Sequence, residues 1–386
     1  MRSIPRVRIV LSNASFKWGG LHVVTELLAT GLQARGHEVV VFGHPGSPLE
    51  ERLKGIARFE GITRRMDVLP MAIMRATAAM RRHRTQVVLA LSKKDVRVTV
   101  PAAWALRIPS VIRYANDRGL GDRIYDRIFF GKMPIRHVAN SMATKEMLLE
   151  SAPWISPDAV DVIYNGIDPK PFEDSDEADL DLPPRAIAIG FVGSLERRKG
   201  LLDLAAAWRL IANRIPNGYL VIAGAGPAEA EARRSLEGAP RVRWLGFRSD
   251  VPAILKRLDL LVMPSHWEGF GLVAAEALLA ETPVVASNAS SLPEIITDTI
   301  HGLLVPRHDP ESLARAMMSA VKNPVRSARM SAAGKARALA EFSAEGMIDR
   351  FERTLSTAIV NKRDEAKLQT MQAFALMAAD IWLQVG

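Results

Sequence analysis

The residues best suited to chemistry lie in one stretch, PSHWEGFGLVAAEALLAETPVVAS (264–287). An apolar run ends at Pro264, a loop carries Glu268, Gly269, Phe270 and Gly271, and a helical pattern then runs past Glu276 to the next apolar run. A helix start of this kind aims the backbone N–H groups of Gly271, Leu272 and Val273 at an anion such as a phosphate. The two carboxylates can each accept a pair of hydroxyl hydrogen bonds. At a rise of about 1.5 Å per residue, Glu276 stands roughly 7–8 Å along the helix from Gly271, which suits one carboxylate on a sugar and the other on a ribose. Two idle surface charges are a poor alternative. Glu268 sits among Trp267, Phe270 and glycines, and Glu276 interrupts a helix of Leu, Val and Ala, where an unpaired charge is costly.

Two further glycine motifs need weighing. Trp18-Gly19-Gly20 precedes a helical pattern and could bring bare amides toward an anion, although a tight strand-to-helix turn needs glycine anyway. Gly224-Ala225-Gly226-Pro227 resembles a dinucleotide fingerprint until its sixth position, where Glu229 replaces the small residue required for packing over a pyrophosphate. A nicotinamide dehydrogenase is therefore disfavoured, and these glycines shape a loop near a base or simply a turn. The D-x-D pairs, Asp174 with Asp176 and Asp179 with Asp181, are explained by solvation of an acidic linker rather than by a metal.

These motifs need elements to hold them. Apolar, β-branched runs at 7–13, 38–43, 86–91, 110–115, 136–141 and 160–166 alternate with helical patterns at 21–36, around 71–84 and around 142–151. Strands that are apolar throughout and separated by helices imply a parallel sheet covered on both faces. The grammar restarts with strands at 186–193, 218–224, 241–246, 258–264 and 282–287. The expectation is an α/β protein of two Rossmann-like, doubly wound domains, 1–168 and 186–343, facing a central cleft. Between them 169–185 reads as an exposed linker and hinge. A helical tail, 344–386, is expected to pack back on the body, with its most apolar part at 368–384.

The 386-residue chain contains no cysteine, which removes disulfides, thiolate metal sites and cysteine nucleophiles together. Its first apolar run breaks after about seven residues, too short for a signal peptide or a span, so the cytoplasm is the expected compartment. The net charge of +9 is uneven. Residues 1–168 hold 25 Lys and Arg against 15 Asp and Glu, whereas 169–386 hold 26 against 27. The cations cluster at Arg64-Arg65, at Arg81, Arg82 and Arg84, and at Lys93-Lys94, with few aromatics between them to stack bases. An anionic surface or acceptor fits this better than a nucleic acid, and on charge alone a solvated basic surface with no partner fits equally.

The pair of glutamates seven residues apart, preceded by PSHW and followed by TPVVAS, resembles the E-x7-E signature of retaining GT-B nucleotide-sugar glycosyltransferases, family 4 in particular (glycosyl transferases group 1). LHVVTELLATGLQARGHEVVVF after Gly19-Gly20, VANSMATKEML, VIYNGID (162–168), FVGSLERRKG (191–200), SLPEII and HGLLVP follow in that family's order. The likeness runs from about residue 7 to 342. It implies that Lys199 binds the donor diphosphate and neutralises the leaving group, the task of a metal in GT-A enzymes. Ser194 stands where many relatives carry Arg, so the resemblance leaves the second cation to Arg197 or Arg198. Glu268 would contact donor sugar hydroxyls, Glu276 the ribose, and Gly19 and Gly20 the phosphate side or acceptor. Gly246, Phe247 and Arg248 are the implied base contacts. Where relatives often carry a His after the strand at 110–115, this chain has Asn116 and Asp117. Asn116 could hydrogen-bond the transferred sugar and Asp117 orient an acceptor hydroxyl, with a loop-capping Asx turn the equal alternative, and His22 and His137 are not placed at that position.

The resemblance thus implies transfer of a sugar from a UDP- or GDP-sugar to an acceptor hydroxyl with retention, in lipopolysaccharide or other cell-surface glycan synthesis. No metal or other cofactor is expected. The expected partners are the nucleotide-sugar donor, a lipid-linked or glycan acceptor, and the anionic inner face of the cytoplasmic membrane; no nucleic acid is expected. A non-hydrolysing nucleotide-sugar epimerase, or a nucleic-acid binder using the basic half, is the alternative.

Overall fold

The computed structural model describes residues 5–16, 19–62, 69–115 and 119–362. In the first half the apolar runs form β1 (Arg8–Asn13), β2 (Glu38–Gly43), β3 (Arg58–Gly61), β4 (Val87–Ala90), β5 (Ser110–Tyr114), β6 (Arg136–Ala139) and β7 (Val160–Val162). They make one parallel sheet in the order β3-β2-β1-β4-β5-β6-β7. The second half forms β8 (Ile187–Val192), β9 (Gly218–Ala223), β10 (Val242–Gly246), β11 (Leu260–Met263), β12 (Val284–Ser287) and β13 (Leu303–Val305), parallel in the order β10-β9-β8-β11-β12-β13. In each sheet the order reverses beside the first strand, between β1 and β4 and between β8 and β11. Ligands of doubly wound sheets bind at such switch points, outside the carboxyl ends of the strands.

Among the described residues, β3, β13 and the long helix Lys93–Ala105 depart from the sequence pattern, besides several short helices. β3 and β13 are short edge strands whose few apolar residues leave little signal. Lys93–Ala105 is helical although Val96, Val98 and Val100 alternate as a strand would. Packing decides it: Val98 and Ala102 enter one core cluster, Val96 and Val100 another, and Ser92 caps the start. The stretch expected as an exposed linker is also seated. Phe172, Ala178 and Leu180 are buried against the second domain, and the Ala178 N–H donates to the Ala253 carbonyl at 2.9 Å.

The chain crosses between the domains twice, side by side. Ile167 and Ser343 form a parallel bridge, with Ile167 N–H to Phe342 O at 2.8 Å and Ala344 N–H to Ile167 O at 3.0 Å. After the second crossing, the helix over 344–362 returns to the first domain, where Met347, Phe351 and Leu355 join the core of Val24, Leu28 and Leu32. Arg35 and His37 hold it from outside through Glu352 at 2.7 and 2.8 Å. The apolar stretch 368–384 lies outside the described residues. No helix among the described residues is long and apolar enough to cross a membrane.

Candidate active site

The site begins where β8 and β11 end. Beyond β8 the chain makes a short 3-10 turn, Arg197–Lys199, and beyond β11 it enters the loop 264–271. Gly200 joins the two. It holds φ +69°, and a Cβ there would stand 1.9 Å from the Pro264 carbonyl oxygen, so no side chain could replace it without separating the loops. The His266 N–H, donating to Arg198 O at 2.8 Å, adds a direct tie.

That contact brings two predicted residues together. Lys199 Nζ lies 2.6 and 2.7 Å from the two carboxylate oxygens of Glu268. The Ser265 hydroxyl donates to the same carboxylate at 2.8 Å, Ser290 accepts from the Glu268 N–H at 2.7 Å, and Ser291 donates to its carbonyl at 3.1 Å. Glu268 is 4% exposed. A carboxylate so buried requires donors, which Lys199 and Ser265 supply, while Ser290 and Ser291 satisfy the Glu268 backbone.

The helix Leu272–Leu279 starts from Gly271, at φ +86°, and leaves the first amides of Leu272 and Val273 outside its own hydrogen-bond ladder. Glu276 lies one turn further. Its surface is only partly covered, yet the surrounding apolar atoms dominate, and desolvation pushes its carboxyl up to about 7. No ion pair or hydrogen bond engages that side chain among the described residues.

The first domain closes on this loop. Ser141 and Thr144 hydroxyls donate to the Gly269 carbonyl at 2.6 and 3.1 Å. A Cβ at Gly269 would meet the Ala115 carbonyl at 2.4 Å, so this glycine is what lets the domains touch. Glu294 reaches across and accepts from the Met142 and Ala143 N–H groups, both at 2.8 Å, capping the helix Met142–Ser151 from the opposite domain. Tyr164 bonds the same carboxylate, and burial followed by the Glu294 charge pushes its hydroxyl up to about 12. Across the cleft Gly20 opens the helix Gly20–Ala34, and a Cβ on it would lie 3.5 Å from Leu272 Cδ2. The Gly19-Gly20 turn and the Gly271-Leu272 turn therefore face each other. Asp95 steadies the loop before Gly19 by accepting from Ala14 N–H at 2.7 Å and Ser92 Oγ at 2.6 Å, and desolvation raises its carboxyl to about 6.

Other predicted positions fall differently. Arg198 bonds Glu196 and the Trp267 carbonyl, beside the pair. Arg197 points elsewhere: its side chain is 79% exposed and bound to Glu231. Gly246 ends β10 and accepts from the Gly224 N–H at 2.7 Å, while Phe247 is exposed and Arg248 is engaged by Asp250. Asn116 and Asp117 lie outside the described residues. His22 is fully buried against Ser15 O, which lowers its pKa by desolvation; His137, buried beside Tyr114, is driven to about 4. Both are core histidines. The D-x-D residues gather no metal-ligand set among the described residues; Asp181 pairs with Arg243.

The sequence reading missed the serines at 265, 290 and 291, Ser141, Thr144 and Glu294. SLPEII was legible as a motif, but its glutamate's partner is 152 residues away. It also missed a cluster of Asp203, His266 and His308.

Two family models match consecutive stretches of the chain, Glycosyltransferase Family 4 over residues 18–171 and Glycosyl transferases group 1 over residues 172–337. The chain belongs to the family 4, group 1 glycosyltransferases of GT-B fold. Among curated relatives, the chain is 35% identical over 203 residues to a D-inositol 3-phosphate glycosyltransferase of Corynebacterium kroppenstedtii, covering 48% of this chain and 45% of that one. It is 31% identical over 231 residues to an alpha-maltose-1-phosphate synthase of Mycolicibacterium smegmatis, covering 53% and 59%. The matches thus span about half the length of these relatives. Of solved structures, a Rickettsia africae glycosyltransferase superposes with TM-score 0.81 at 17% identity over 92% of this chain and 99% of that one. An Anabaena protein crystallised with UDP and glucose gives 0.77 at 20% identity, over 91% and 100%. These two likenesses concern the fold.

Proposed function

We propose that this transferase moves a sugar from a nucleoside diphosphate donor, a UDP- or GDP-sugar, to an acceptor hydroxyl with retention at the anomeric carbon. The observation that carries the reading is the bidentate contact of Lys199 with Glu268 at the β8/β11 switch point. A diphosphate entering there offers Lys199 a stronger anionic partner, and the exchange frees Glu268 to accept from sugar hydroxyls. The N-terminus of Leu272–Leu279 would face the phosphates and Glu276 the ribose. In the transfer, the bond from the anomeric carbon to the diphosphate oxygen breaks and a bond to the acceptor oxygen forms on the same face. The departing phosphate oxygen takes the acceptor proton, so no enzyme nucleophile is needed, and Lys199 with the helix amides stabilises the charge that develops. No metal enters this step.

The acceptor we infer is a lipid-linked or lipopolysaccharide-type glycan at the anionic inner face of the cytoplasmic membrane. The basic residues of the first domain are divided. Arg6, Arg8, Arg58, Arg82 and Arg84 border a hollow of about 460 Å³ at the amino ends of the strands, whereas Lys93 and Lys94 start a helix at the carboxyl ends. Leu69, Met71 and Met74 are exposed toward the start of the helix Leu69–Arg82, whose other end, Arg82, borders that hollow, so one element carries apolar and basic groups suited to a lipid surface.

Thermal shift against UDP-, GDP- and ADP-glucose tests the donor assignment. A ligand at about 100 times its dissociation constant stabilises by roughly 2.7 kcal/mol. One nucleotide class should raise the melting temperature, and the rise should vanish in Lys199→Met. A rise that persists in that variant, or none with any of the three, would overturn the assignment.

A further inference from the structure

The donor-domain loops carry a second group of side chains that the transfer chemistry leaves unused. Asp203 lies in the first turn of the helix Leu201–Ile211, His266 in the loop before Glu268, and His308 in the loop after β13. His266 Nε2 is 2.7 Å from Asp203 Oδ2, and His308 Nδ1 is 4.0 Å from the same oxygen. One ligand atom from each residue lies within 4.8 Å of the other two. The imidazole rings lie against each other with centroids 3.7 Å apart. A plain hydrogen bond to Asp203 accounts for His266. It does not account for His308, whose Nδ1 stops beyond hydrogen-bond reach of Asp203 while its ring lies on another imidazole.

We propose that Asp203, His266 and His308 form a binding site for a divalent transition ion of the zinc class. Two imidazoles and a carboxylate are the borderline donor set that such ions prefer over magnesium or calcium. Ligand atoms about 2.0–2.2 Å from a tetrahedral zinc stand about 3.3–3.5 Å apart, so small side-chain rotations convert the observed spacing to a bound one. Water completes the fourth position. The entry is open, because Asp203 and His266 are partly exposed and the His308 side chain is 58% exposed. Arg307 lines the same hollow and opposes the ion's charge, which limits affinity.

The three ligands come from three separate segments. One follows Lys199 by four residues and another precedes Glu268 by two, so the ion would brace the loops that hold this pair and reinforce the His266 N–H to Arg198 O bond. Its role is structural, and the transfer step is unchanged by it.

The test uses the full chain, freed of metal by chelator dialysis and titrated with zinc chloride in a calorimeter. Native protein should bind one ion per chain; His308→Ala and Asp203→Asn should each weaken binding at least tenfold, and His83→Ala, beside Glu60, should not. Zinc should raise the melting temperature of the native chain and leave that of His308→Ala unmoved. Cobalt in place of zinc should give the visible absorption of a tetrahedral site. Absence of stoichiometric binding, or equal affinity in His308→Ala, would overturn the proposal whatever the nucleotide experiments show.

Discussion

Replacing Lys199 by methionine isolates the contact on which the site turns. The ammonium is 2.6 and 2.7 Å from the Glu268 oxygens, with side chains only 17% and 5% exposed. At an effective dielectric near 20, the gross attraction at this distance is about 6 kcal/mol. Removing both ions from water offsets most of that, so the pair as a whole contributes little to stability. Losing the cation alone is different. Glu268 would be left with a single hydroxyl, that of Ser265, and we expect a cost of about 3 kcal/mol. At roughly 2–4 °C per kcal/mol for a domain of this size, the donor-domain transition should fall by about 6–12 °C. Lys199→Met with Glu268→Leu leaves no unpaired charge and should recover most of the loss, while both variants lose transfer activity. Differential scanning calorimetry separates the two effects. A single variant that melts within about 1 °C of the native chain, or a double variant less stable than the single, would refute the reasoning.

Glu276 sets a pH dependence. Its carboxyl is raised to about 7, and only the ionised form accepts two hydroxyls, so donor affinity should climb between about pH 6 and 8 and lie flat in Glu276→Gln, as titration calorimetry would read. For the empty enzyme the sign is opposite: the folded state binds the extra proton, so stability falls as pH rises from the unfolded value toward about 7, and the same variant removes this slope. Glu294→Ala removes the bonds from the Met142 and Ala143 N–H groups and from Tyr164 across the domains, at least about 1.5 kcal/mol of closure; a larger radius of gyration in solution scattering and a raised KM should follow, and unchanged scattering would count against the latch. Vesicles of anionic lipid should sediment the native chain at low salt, and Met71→Asp with Met74→Asp should abolish this; a native chain left in the supernatant sinks the membrane reading.

What could be read along the chain was local. Apolar β-branched runs, each broken by glycine or a polar cap, specify buried parallel strands and hence two doubly wound domains. Glu268, Gly271 and Glu276 were legible because a loop and one helix turn place them at fixed separations whatever surrounds them. Tertiary structure decided which groups meet. Lys199 and Glu268 are 69 residues apart and join only because β8 and β11 are neighbours in the sheet and Gly200 allows their loops to touch. Arg197, beside Lys199 in sequence, turns to Glu231 because a short 3-10 turn sends successive side chains in different directions. Glu294, Ser141 and Gly269 carry meaning only across the closed cleft. Short-range periodicity encodes the elements; contacts between distant segments depend on strand order and loop shape, which no local pattern contains.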